Sequence, residues 1–263
     1  MIISRNRWLV CRSPRPGAQL RLLAIPSAGS GSGLFHVWDG ALPRWVELWS
    51  VMAPGRESRY SEPVPDRLLD YVEAIGDALG GIEQIPLVVF GHSMGGRIAF
   101  ELARQLGERG QPLPLHLFLS SIAAPSRYER EPPKHLLGDV ELLMEVRRSY
   151  GGFPPEVEQY PELLRAALRV LRDDLHALET HRERASAPLS VPISALGGKD
   201  DPSVSEEDLR AWEVETTGGF DLLLFQGDHR YMESRVEAVL AYLVPTLKTL
   251  GRSGGSSTGA SPS

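Results

Sequence analysis

Short apolar runs alternate along this chain with stretches of helical periodicity, and that alternation limits its fold more than any other feature. The runs are "LRLLAIP", "WVELWSVMAPG", "PLVVFG", "PLHLFLSSI", "VPISALGG" and "DLLLFQG". They are too short for helices and rich in Val, Ile, Leu and Phe, and most stop at Gly or Pro, which suits strands buried on both faces of a mostly parallel sheet. Between them, "PDRLLDYVEAIGDAL" and "GGRIAFELARQL" carry apolar residues at helical spacing. Strand and helix in turn predict an α/β fold. With 263 residues, 42% of them apolar, the chain holds enough for one sizeable core, so a single domain is expected over residues 1–250.

The alternation stops between about Ser126 and Pro188, where "GDVELLMEVRRSYGG" and "YPELLRAALRVLRDDLHALETHRERA" read as helices. Helices inserted between two strands either serve packing or cover the strand ends, where open α/β sheets bind their ligands. The break "YGGFPPEVEQYP", rich in Gly and Pro, favours two lid segments joined by a hinge. From Gly251 the tail "GRSGGSSTGASPS" cannot bury enough apolar surface to offset its ordering entropy, so disorder is expected over residues 251–263.

A formal charge of −6 and no long run of Lys and Arg exclude a nucleic-acid footprint. The single cysteine, Cys11, forms no internal disulfide and belongs to no zinc-ligand spacing; it reads as a small hydrophobe in an early strand. The N-terminal stretch has an apolar patch only from Trp8 to Cys11, and no run approaches membrane-spanning length. A cytoplasmic protein is the expectation.

The segment "VVFGHSMGGRIAF" sets Ser93 between Gly91 and Gly95, directly after an apparent strand and before an apparent helix. The G-x-S-x-G spacing is common by chance, but strand, sharp turn and helix form the setting that exposes a nucleophile. The flanking glycines permit close backbone approach, and the helix N-terminus favours developing negative charge. A serine hydroxyl needs a histidine base, and the base needs an acid to fix its tautomer. In such folds the order is Ser, then an acid after a late strand, then His. Among seven histidines, His36 and His92 precede the serine, His116 lies inside an apparent strand, and His135, His176 and His181 fall in the helical insert. His229, in "FQGDHRYME" after the last strand, is the candidate base. "VPISALGGKDDPSV" offers Asp200 and Asp201 as the acid, and spacing alone does not separate them. Asp228 is too near His229 to orient its ring, while Asp173 and Asp174 read as solvated or capping charges of the insert. An oxyanion needs preorganised backbone donors. The amide of Met94 is one, and the small-residue loop "AIPSAGSGSG" supplies a second at Ala28; its glycines match neither a phosphate-loop nor a dinucleotide spacing.

With these residues in place, the chain resembles the type II thioesterases, stand-alone editing enzymes of nonribosomal peptide and polyketide synthesis. The resemblance runs from about Trp8 to Leu250 and is carried by "IPSAGSGSGLFHVW", "WSVMAPGRESRYSEP", "FGHSMGGRIAFELA", "LLGDVELLMEVRRSYGGFPPEV", "LRDDLHALE", "GGKDDPSVSEEDLRAW" and "FQGDHRYM". It implies an α/β-hydrolase fold, a mostly parallel sheet flanked by helices, with a helical lid insertion at about 126–188. It also implies a thioester hydrolase acting on acyl or aminoacyl groups of phosphopantetheinyl carrier proteins, monomeric and without a cofactor of its own, the phosphopantetheine being part of the substrate. The family pattern G-x-x-D-P falls on Gly198 to Pro202 and matches Asp201 as the acid, with Ser93 and His229 at the other two positions. Where the family reads Pro-His-Ala-Gly-Gly this chain has Pro26, Ser27, Ala28, Gly29 and Ser30, and Arg230 and Tyr231 stand where two aromatics are usual. A generic esterase on free esters or acyl-CoA would share the same catalytic parts, and a silent synthase-docking protein would not need them. For carrier docking, Arg147 and Arg148, or Arg56 and Arg59, are the candidate basic patches, with ordinary solvated charge as the plainer reading.

Overall fold

The computed structural model describes residues 3–127, 132–182 and 186–254. Among the described residues eight strands form one sheet: β1 (Ile3–Asn6), β2 (Leu9–Cys11), β3 (Leu20–Ile25), β4 (Val46–Val51), β5 (Leu87–His92), β6 (His116–Ser120), β7 (Ile193–Gly198) and β8 (Phe220–Phe225). Their order is β1-β2-β4-β3-β5-β6-β7-β8. The first two form an antiparallel hairpin beside β4, and every pairing from β4 to β8 is parallel. The six apolar runs became β3 to β8, and Cys11 lies buried in β2, where burial pushes its thiol up to about 12.

Alternate side chains of the central strands feed two cores. Leu20, Leu22 and Ala24 of β3 join Val88 and Phe90 of β5 on one face, whereas Leu23, Ile25 and Val89 point to the other. The first face is covered by α1 (His36–Ala41) and by α9 (Val236–Gly254), the second by α2 (Leu68–Gly80) and α3 (Met94–Glu108). Burying each such Leu, Val or Phe contributes about 1.5–3 kcal/mol before entropy is subtracted, so both faces need a helical layer. The C-terminal helix runs through Gly254 and so takes in residues 251–254 of the segment expected to be a tail, and residues 255–263 lie outside the described residues.

Between β6 and β7 the described chain is helical: two 3-10 turns, then α4 (Asp139–Tyr150), α5 (Pro155–Glu158) and α6 (Pro161–Thr180). Helix α4 ends on Gly151 in the left-handed region, and α6 starts on Pro161, where a missing N–H costs nothing. A small third core of Leu142, Val146, Leu168, Leu171 and Leu175 joins α4 to α6, and Ala28 of the sheet's loop packs against it. The insert therefore sits over the carboxyl ends of the strands. The short α7 (Glu206–Arg210) and α8 (Tyr231–Ser234) follow β7 and β8.

Candidate active site

Ser93 stands between β5 and α3 with φ 55 and ψ −122, a backbone conformation that a non-glycine residue adopts only where its surroundings impose it. Its amide donates to the Ser120 carbonyl at 2.7 Å and its carbonyl accepts from Gly96 at 2.8 Å, so the turn is held from both sides. A Cβ on Gly95 would lie 2.2 Å from the Ile25 carbonyl oxygen, which shows why the first turn of α3 can press against the end of β3. A turn that only joined strand to helix would not need a strained serine at its apex.

The other two candidates arrive from the far half of the sheet. Past β7 and β8, the Lys199 amide donates to the Phe225 carbonyl and the Asp200 amide to Gly227, which keeps the two loops side by side. His229 Nδ1 lies 2.9 Å from Asp201 Oδ2, and both side chains are buried. Ser203 donates to Asp201 Oδ1 through its amide at 2.9 Å and its hydroxyl at 2.7 Å. Burial pushes the Asp201 carboxyl up, but the hydrogen bonds from His229 and Ser203 and the His229 charge outweigh it and hold the group below the usual carboxylate range. Asp200 instead accepts from Gln226, and Asp228 accepts from the Arg230 amide. The Nε2 of His229 is buried without a hydrogen-bond partner, and the ring borders the same cavities as Ser93, although no hydrogen bond joins the two.

The early loop folds as a turn in which the Ser30 amide donates to the Ser27 carbonyl at 3.0 Å, with the Ser27 and Ser30 hydroxyls 2.9 Å apart. Two expectations fail here. Asp174 is not a solvated charge of the insert but 1% exposed, and Arg56 is not a surface cation but 8% exposed and bonded to both Asp174 oxygens at 2.7 and 2.8 Å. Burial alone would lower the Arg56 pKa, and the adjoining carboxylate raises it instead. Arg59 is buried too, bonded to Glu62 and stacked over Trp8. The other candidate patch is already ion-paired, Arg147 to Glu158 and Arg148 to Glu145.

Several residues near the site have no signal in the sequence. His92 is 1% exposed; its Nδ1 lies 2.9 Å from Ser120 Oγ, which in turn lies 2.7 Å from the Tyr231 hydroxyl. Burial, then repulsion from His229, holds His92 neutral, well below the usual range. Tyr150, the last residue of α4, sets its ring 4.9 Å from that of His229. His116 is a buried strand residue, as its position suggests, bonded to Ser194, and burial lowers it to about 4. Among the described residues no group of three or more His, Cys, Asp or Glu side chains is arranged to hold a metal ion.

Two cavities meet at Ser93, Tyr150 and His229. The larger, about 580 Å³, has walls of mixed polarity, with Lys134, Arg148 and Glu179 beside Ile122, Leu178 and Val204. The smaller, about 350 Å³, lies under the insert against Ala28, Leu34, Val146, Phe153, Leu171 and Leu175. A hydroxyl at a strained turn, a carboxylate-bound imidazole and two cavities of different polarity suit acyl transfer from a substrate with one polar and one apolar arm.

A family profile described as "Thioesterase domain" matches residues 20–245. The gramicidin S biosynthesis protein GrsT of Aneurinibacillus migulanus is 35% identical over 235 residues, 89% of this chain and 91% of its own. The thioesterase PikA5 of Streptomyces venezuelae is 34% identical, with 89% of this chain and 83% of its own covered. Among solved structures, the type II thioesterase BorB from the borrelidin biosynthetic cluster superposes with a TM-score of 0.85 at 33% identity, over 93% of this chain and 99% of its own. RedJ, a thioesterase of the prodiginine pathway in Streptomyces coelicolor, gives 0.82 at 33% identity over 88% and 92%. No helix among the described residues is long and apolar enough to cross a membrane. The chain belongs to the thioesterase family, on the α/β-hydrolase fold, and is a type II thioesterase, a serine hydrolase of thioesters.

Proposed function

We propose that Ser93, His229 and Asp201 are the catalytic triad and that the substrates are acyl and aminoacyl thioesters on the phosphopantetheine arm of synthase carrier proteins, cleared when they block the carrier thiol. The observation that carries this reading is the Asp201–His229 bond beside Ser93 at the junction of a cavity of mixed polarity and a mainly apolar one. The Ser93 hydroxyl attacks the thioester carbonyl as His229 Nε2 takes its proton. The amides of Met94 and Ala28 bind the oxyanion, and Asp201 stabilises the imidazolium. Collapse breaks the carbon–sulfur bond, and the thiol leaves with the proton from His229. Water, deprotonated by the same nitrogen, then attacks the acyl-serine and releases the acid.

Every proton in this cycle is handled by His229, the oxyanion is met by backbone amides and the imidazolium by Asp201, so the reading assigns the enzyme no metal or redox cofactor. It also takes the protein as a cytoplasmic monomer. The larger cavity would admit the pantetheine arm, whose amides and hydroxyl match its polar wall residues, and the smaller one the acyl chain. The insert would act as the lid, since α4 and α6 wall both chambers.

The test compares release of acetyl, longer acyl and aminoacyl groups from a phosphopantetheinylated carrier and from a small thiol, for wild type and Ser93→Ala. Faster release from the carrier, lost by several orders of magnitude in the variant, is expected, because triad members act as a unit. Equal or faster release from the small thiol would mean a generic hydrolase, and wild-type turnover in Ser93→Ala would remove the triad.

A further inference from the structure

The buried carboxylate of Asp174 is the point where the insert is bonded to the loop that carries Ala28. Four donors meet on it: both terminal nitrogens of Arg56, the Tyr71 hydroxyl, and the backbone amide of Gly29 at 2.7 Å. Arg56 also donates to the Ser30 carbonyl at 3.0 Å, so the turn from Ser27 to Ser30 is gripped at two of its peptide groups. One turn earlier on α6, Leu171 roofs the same loop; a Cβ on Gly29 would lie 3.3 Å from its Cβ.

The geometry of that turn gives the grip a chemical meaning. Gly29, with φ +74, occupies the third position of a four-residue turn closed from Ser30 to Ser27, as a type II turn requires. Type I and type II turns differ by a flip of the central peptide, here the one between Ala28 and Gly29. The Gly29 N–H donates to Asp174, and a flip would break that bond and face the Ala28 carbonyl toward a carboxylate. The bond therefore selects one orientation of the peptide next to the Ala28 amide.

We propose that Asp174 is a positioning residue for the oxyanion hole: through Gly29 it holds the early loop in the form that presents the Ala28 amide to the reacting carbonyl, so that this donor is in place only while α6 is seated. Asp174 and Arg56 touch no reacting atom. Their role is exercised through the loop, and it rests on the reading of Ala28 as an oxyanion donor.

The experiment separates positioning from structural support. A buried ion pair can be replaced by apolar residues of similar volume without loss of stability. The combined variant Arg56→Met with Asp174→Leu, made together with Tyr71→Phe so that no buried hydroxyl loses its acceptor, therefore keeps the packing but removes the acceptor for Gly29. A misplaced oxyanion donor is felt in turnover more than in ground-state binding, so kcat is expected to fall about 10–100-fold while KM stays within about threefold and Tm stays near wild type. Asp174→Asn should show the reverse pattern, because its amide oxygen still accepts from Gly29 while Arg56 loses its counter-charge: a lower Tm, with kcat closer to wild type. Turnover in a folded combined variant within twofold of wild type overturns the proposal. If the combined variant does not fold, Asp174→Ala and Asp174→Asn are compared at low temperature per active site titrated with a fluorophosphonate. At least a tenfold lower kcat for the alanine supports positioning, and equal kcat overturns it. A wild-type enzyme inert toward thioesters would instead strike at the triad reading itself, which the Ser93→Ala comparison detects separately.

Discussion

The sheet and the helical insert are built on different principles, although the site needs both. Every residue of β3, β6 and β7 is buried, and those strands pass their side chains alternately to two separate cores. In α4 only Leu142, Val146 and Ser149 are buried, while Val140 and Met144 are 63% exposed. The insert is located by the narrow apolar seam between α4 and α6, by Ala177 and Leu178 at the end of α6, which reach the core on the sheet's second face, and by a few polar attachments. Asp174 grips the early loop, and Arg230 donates to the Gly152 carbonyl at 3.0 Å. A sheet packed on both faces is over-determined and moves as a whole, whereas a segment held by a handful of bonds opens locally at a lower cost. The groups assigned to chemistry stand on the rigid part, and those that shape the chambers stand on the other.

The largest effect should come where the rigid part is tightest. In Gly95→Ala the new methyl would meet the Ile25 carbonyl oxygen at 2.2 Å and the Pro26 carbonyl oxygen at 2.7 Å, both backbone atoms without room to yield. Relief requires α3 to move away from β3, which separates the Ser93 turn from the Ala28 loop. A loss of more than about 4 kcal/mol is expected, or no folded enzyme, read by denaturant unfolding. A variant as stable and active as wild type would mean that the elbow is not the tight junction described.

Two leucines, both 0% exposed, give a matched comparison. Leu117 lies in β6, and Leu142 lies in α4 over the smaller core. Truncation to alanine at Leu117 should cost about 3–5 kcal/mol in global unfolding. Leu142→Ala should cost less than half of that, because the insert can loosen before the sheet does, and its loss should show as faster amide exchange confined to α4 and α6. Equal global costs and no local exchange would mean that insert and sheet unfold as one unit.

The same contrast decides what can be read without a structure. Strands β3 to β8 are legible because burial on both faces leaves unbroken apolar runs, and α2, α3, α4 and α6 because their apolar residues recur at helical spacing. The β1-β2 hairpin at the sheet edge leaves only the Trp8 to Cys11 patch, since short edge strands lack a long run. Ser93 and His229 follow from local context and chain order. Asp200 and Asp201 are equivalent by spacing; the family pattern points to Asp201, and the bond to His229 now supports that choice. Arg56 and Asp174 stand 118 residues apart, and nothing periodic links two charged residues across a fold. Isolated on the page they read as solvent-facing, which is the usual fate of such residues and is wrong here because each buries the other's charge. The His92–Ser120–Tyr231 chain is hidden for the same reason, as three polar residues on three elements meet only once the sheet is closed.

The smallest effect concerns the surface of the insert and the docking role considered for its arginines. Arg147 is ion-paired with Glu158 at 2.6 Å with its side chain 56% exposed. Such pairs pay side-chain entropy and are screened by salt, so Arg147→Ala should change stability by no more than about 0.5 kcal/mol. A guanidinium already neutralised by Glu158 presents little net charge to an acidic partner, so KM for a carrier-bound thioester should also stay within about twofold. A small-thiol substrate run in parallel isolates docking, since that thioester never touches the carrier surface. A rise in KM for the carrier alone, growing at low ionic strength, would show that the partner displaces Glu158 and recruits the arginine, and the insert would then contribute recognition as well as the walls of the two chambers.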